Sequence, residues 1–112
     1  MIDGIYSITF RGRDDWGMGM LILQKGSILG ADSGGAQFDG QYFERGPVVD
    51  VKMTMTVPPG ATLVQGTKPQ PFAYTIPVEI AVPTTAFANR QPVLMQLPPG
   101  PVNVIFACLR KI

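Results

Sequence analysis

From Val48 to Val57 apolar and polar residues alternate without a break. Val49, Val51, Met53, Met55 and Val57 share one side, and Asp50, Lys52, Thr54 and Thr56 the other. A strand turns successive side chains to opposite faces, so this period of two predicts a strand with one buried face. The same pattern recurs along the chain. Ile2–Phe10 places Tyr6, Ile8 and Phe10 together, opposite Ser7 and Thr9. Trp16–Gln24 groups Trp16, Met18, Met20 and Ile22, with Gly17 and Gly19 between them. Further short runs cover Ser27–Asp32, Ala36–Glu44, Phe72–Val82, Val93–Leu97 and Val102–Arg110. In Phe72–Val82 the apolar face is Phe72, Tyr74, Ile76, Val78 and Ile80.

Turn signals separate these runs. "QKGS" carries Gly26, suited to a tight hairpin with positive φ. "ERGP" at 44–47 is a second turn, and "PPGATLVQGTKPQP" at 58–71 is the longest irregular segment. Its middle, "ATLVQ", has the composition of a short strand. "PTTAFANRQP" reads as a loop with room for one helical turn. The chain holds 13 glycines and 11 prolines, which interrupt any long helix. About eight sequential strands with no convincing helix predict an all-β, antiparallel up-and-down barrel occupying 1–112 as one domain.

The glycine-dense stretch "GADSGGAQFDG" at 30–40 raises a separate question. A phosphate loop needs G-x-x-x-x-G-K-[ST] leading into a helix; no lysine and no helical period follow these glycines. A calcium loop of the EF-hand type needs regularly spaced oxygen ligands and a closing glutamate, and only Asp32 and Asp39 are present. The stretch therefore reads as corners of a sheet, with Gly40 marking a bulge or bend.

Composition narrows the function. Hydrophobic residues make up 46% of the chain and charged residues 15%, below the usual share of about 25%. Either an interior cavity or a covered surface has to absorb that apolar content. Net charge is +1 with no basic cluster beyond Arg110-Lys111, which argues against nucleic-acid binding. No apolar run approaches the ~20 residues of a spanning helix. The start "MIDGIYSITF" lacks the features of a secretory signal, so a cytoplasmic location is expected. One cysteine, Cys108, cannot form an internal disulfide and is expected buried and inert in a strand.

Histidine is absent, which removes the commonest general base and metal ligand. Asp14-Asp15 lies in a turn, and Glu44, Asp50 and Glu79 are isolated. No catalytic residues, metal ligands or cofactor site emerge, and no enzyme is expected. The methionines are the remaining signal. Met18, Met20, Met53 and Met55 are expected on the same apolar faces as Tyr74 and Phe106, where flexible thioethers suit a cavity accepting a small hydrophobic ligand. An ordinary filled core is the alternative.

"DGIYSITF", "GMGMLILQKGSILGADSGGAQFDGQY" and "YTIPVEIAVP" resemble the GrlR-like proteins, bacterial negative regulators of type III secretion. The resemblance is best over residues 3–57 and weaker to about 83. It implies a lipocalin-like barrel that forms a homodimer, has an apolar cavity, performs no catalysis and binds a protein partner, a transcriptional regulator. In that family a loop with a Glu-Asp-Glu-Asp run contacts the partner. The equivalent loop here is Glu44, Arg45, Gly46 and Pro47, which keeps one acid. It is expected as a partner-binding loop without the charge steering that an acidic patch provides.

Overall fold

The computed structural model describes all 112 residues. Eight strands follow one another: β1 Gly4–Arg11, β2 Trp16–Gln24, β3 Ser27–Asp32, β4 Gln37–Arg45, β5 Val48–Val57, β6 Tyr74–Pro83, β7 Val93–Leu97 and β8 Gly100–Lys111. A single helical turn, α1 Ala86–Asn89, separates β6 from β7. All pairings are antiparallel, in the order β6-β5-β4-β3-β2-β1-β8-β7, and the sheet curls into a nearly closed barrel. β2, β3, β5 and β7 have the bounds that alternation predicts. The segment "ATLVQ" forms no strand, and Phe72 lies outside β6, exposed in the preceding loop.

The interior is built from the predicted alternate positions. Tyr6, Val49, Val57, Val78 and Val82 are fully enclosed, and no buried residue is polar or charged apart from tyrosine hydroxyls. The Tyr6 hydroxyl donates to the Ile2 carbonyl at 2.6 Å, which meets the hydrogen-bonding need of a buried phenol.

β2 departs from expectation. Its inward side is Gly17, Gly19, Leu21 and Leu23, so Trp16, Met18 and Met20 face outward and are 63%, 49% and 48% exposed. The reason is steric. A Cβ at Gly17 would sit 2.6 Å from the Phe10 ring, and one at Gly19 2.5 Å from the Ala31 carbonyl oxygen. The inner side of this corner has no room for large residues, and the large apolar ones are left outside.

The glycines of the 30–40 stretch do the same work. Gly30 and Gly40 lie on the concave face, where a Cβ would approach the Met20 and Lys52 carbonyl oxygens to 2.4 and 2.3 Å. Their bare backbones let neighbouring strands bend tightly, as closure of a small barrel requires. The Asp32 Oδ1 accepts N–H bonds from Gly34 and Ala36, both at 2.9 Å, and Gly35 takes φ +91°. This is a side-chain-stabilised turn between β3 and β4.

No ladder joins β6 to β7, so the barrel has one seam. Pro77 and Pro83 occupy alternating positions of β6 with equal parity and can donate no ladder hydrogen bond. They blunt the longer of the two free edges against pairing with another chain. No helix is long and apolar enough to cross a membrane.

Candidate functional site

The barrel encloses a cavity of about 330 Å³, and 24 of its 31 lining residues are hydrophobic. Every hairpin loop at one end of the barrel contributes to it: Asp15 to Gly17 from the β1–β2 side, Asp32 to Gly34 from β3–β4, Thr62 to Gln65 from the β5–β6 loop, and Leu97 beside the β7–β8 turn. Asp15, Trp16, Ser33, Gly34 and Thr62 are exposed, so this end is the mouth. The opposite end is closed. Ile2, Val49, Val82 and Phe87 line it and are all buried.

Phe87 is the plug. The turn α1 holds its ring against Tyr6, edge to face at 5.6 Å between centroids, and against Phe106 at 4.7 Å. Elsewhere in the barrel wall the Tyr42 hydroxyl donates to Asp3, whose other carboxylate oxygen accepts the Lys25 N–H at 3.2 Å. The hydrogen bond from Tyr42 is the main reason the Asp3 carboxyl lies below its ordinary value. Burial, then the bond to Asp3, pushes Tyr42 up to about 12; burial, then the neighbouring Cys108, does the same for Tyr6.

Across the mouth lies a strap, residues 58–73. Leu63 is buried in the cavity end, and the Val64 carbonyl accepts the Asp14 N–H at 3.1 Å. A Cβ at Gly12 would lie 2.4 Å from the Val64 carbonyl oxygen, so the strap rests directly on the β1–β2 backbone.

Met53, Met55 and Phe106 line the cavity. Tyr74 is on the inner face and packs against the core without lining the cavity; its buried hydroxyl makes no hydrogen bond. Met18 and Met20 belong to the outer wall, which corrects their expected place in the cavity. There they form an apolar surface with Trp16 and Leu29, the last opposite Ile22 in the ladder. The loop Glu44–Pro47 sits at the closed end, remote from the mouth in the fold. Its residues are exposed, Arg45 binds Asp50 through two hydrogen bonds at 2.7 and 3.1 Å, and Glu44 lies 3.8 Å from the N-terminal amine. Cys108 is half-buried on β8, opposite Tyr6.

The strap and the two mouth aspartates carry no advance signal in the sequence. Thr62 to Gln65 sit in an irregular run, and Asp15 and Asp32 read as turn residues, which they also are. The lining is mainly apolar, with Asp15, Asp32, Ser33 and Thr62 among its polar members, and no three or more of His, Cys, Asp and Glu gather as metal ligands would. Comparison of the chain with protein-family models, with curated proteins and with solved structures finds no match.

Proposed function

We propose that this barrel is a non-enzymatic binding protein that carries a small hydrophobic molecule in its interior. The observation supporting this is the cavity itself: about 330 Å³, mainly apolar, closed at one end and reached from the other. That volume falls in the range of small-molecule sites, ~300–1,000 Å³. An apolar molecule moving into it leaves water at roughly 25 cal/mol for each Å² buried. Native mass spectrometry of the purified protein, followed by denaturing extraction, tests the reading. A defined apolar molecule at one per chain is the expected result. A chain with nothing bound that also fails to take up a neutral apolar dye refutes it.

A second reading rests on the outer wall. Trp16, Met18, Met20 and Leu29 form an exposed apolar surface on β2 and β3, of the kind that marks contact sites. We propose it as the face through which a GrlR-like regulatory barrel, working in the cytoplasm, forms a homodimer or holds a protein partner. Sedimentation velocity of Met20→Glu against the parent chain tests this. A parent dimer that the substitution converts to monomer supports it. A parent that stays monomeric over the micromolar range removes the dimer.

A further inference from the structure

The lining of the cavity carries charge of one sign only. Asp15 and Asp32 are its sole ionisable side chains apart from Tyr42, and no lysine or arginine reaches it. We propose that the ligand is an apolar molecule of about ten non-hydrogen atoms whose polar end is neutral or an amine, held with that end at the mouth, and that carboxylate-headed lipids are discriminated against. This rests on the reading of the barrel as a carrier.

Three observations converge on it. The first is size. At about 30 Å³ for each non-hydrogen atom of a liquid, 330 Å³ holds on the order of ten. The second is polarity along the axis. The closed end is ringed by Ile2, Val49, Val82 and Phe87, and the Tyr42 hydroxyl there is already committed to Asp3. A polar head placed at that end would lose its water without gaining a partner, so the head stays at the mouth.

The third is the chemistry of the mouth. Asp32 is half-buried; its Oδ1 is used by two backbone N–H groups, while its Oδ2 accepts no hydrogen bond from the chain. Asp15 likewise spends Oδ1 on the Trp16 N–H at 2.8 Å. Each keeps a carboxylate oxygen for a donor on the ligand. The cations nearest in sequence do not offset them: Arg13 is exposed and lies 3.5 Å from Asp14, and Arg11 does not line the cavity. A carboxylate head would face two like charges with no cation to pair with, whereas an ammonium or hydroxyl head gains charge-assisted hydrogen bonds.

The test compares three ligands of matched chain length, 1-octanol, octylamine and octanoate, by isothermal titration with the full chain at neutral pH and low salt. Octanol and octylamine are expected to bind at least about ten-fold more tightly than octanoate, and the octylamine advantage is expected to shrink as salt rises. In the Asp15→Asn, Asp32→Asn double variant the amide oxygens keep the turn contacts. Octanoate binding should then strengthen several-fold, octylamine should weaken most, and octanol, which keeps neutral hydrogen bonds to the amide oxygens, should weaken less. Octanoate bound as tightly as octanol by the parent chain overturns the inference while leaving the carrier reading in place. A double variant with the parent's preference overturns the role of the two aspartates. Failure of all three ligands to bind refutes the carrier reading, and the inference falls with it.

Discussion

Replacing Phe87 by alanine tests how the closed end is sealed. Phe87 is 5% exposed, and α1 is a single turn whose buried residues are Ala86 and Phe87 alone. Burial of such a side chain stabilises by roughly 1.5–3 kcal/mol. Each of its contacts with Tyr6 and Phe106 adds roughly 0.5–1.5 kcal/mol. Phe→Ala in well-packed cores costs ~3–5 kcal/mol, part of which is the new void. Here the ring already borders a cavity, so that part is smaller, and the expected loss is about 3 kcal/mol. Urea unfolding of parent and variant measures it. The midpoint should fall while the slope stays constant, with a Tm lower by roughly 10–20 °C. The variant cavity should also extend past the old plug, so that 1-decanol gains affinity relative to 1-octanol. A loss below about 1 kcal/mol with no change in chain-length preference would refute Phe87 as the seal.

Gly40→Ala puts a Cβ 2.3 Å from the Lys52 carbonyl oxygen and 2.5 Å from the Met53 Cα, both backbone; a loss of about 2 kcal/mol or more in chemical unfolding is expected, and a neutral result would mean that the corner is not tight. Gly12→Ala should lift the strap from the β1–β2 loop, seen as faster thermolysin cleavage near Leu63 and Val64 at nearly unchanged global stability; parent-like cleavage would show that the strap is held elsewhere. Tyr6 and Tyr42 bind their protons more tightly folded than unfolded, so the stability they contribute is complete below about pH 10 and is lost as pH rises from there towards 12. Phenolate absorbance of the folded chain should show two late-titrating tyrosines, and completion of the whole titration near 10 would contradict their burial.

Alternation alone locates β5 and its inner face because that strand is apolar on one side and polar on the other. It fails on β2, where both sides are apolar and the inward positions are partly glycine. There the facing is decided by how closely Phe10 and Ala31 approach, a property of the closed sheet. The helical turn at Ala86–Asn89 is legible as a break between strands, but the role of Phe87 as a plug is not, since it depends on Tyr6 and Phe106 from distant strands. Of the cavity, Met53, Met55 and Phe106 are readable from period two. The strap is not, because it is anchored through the Val64 carbonyl to the β1–β2 loop rather than by any repeat of its own.

The pairing of β1 with β8 sets Gly4 beside Lys111, whereas the other ladders join neighbours in the chain. This has a consequence for how the protein is made. β1 leaves the ribosome first and acquires one neighbour, β2, almost at once. Its other edge waits until β8 has been synthesised. Hairpins from β2 to β5 close over short loops and β5–β6 over the strap, but the β1–β8 ladder closes over the longest span, and such non-local pairings slow folding. Through most of synthesis the nascent sheet therefore shows an unpaired edge along Ile8 and Phe10, with its apolar inner face uncovered. Pro77 and Pro83 guard the edge that remains in the finished barrel. The β1 edge carries no proline, so until β8 pairs with it that edge is open to association with other chains.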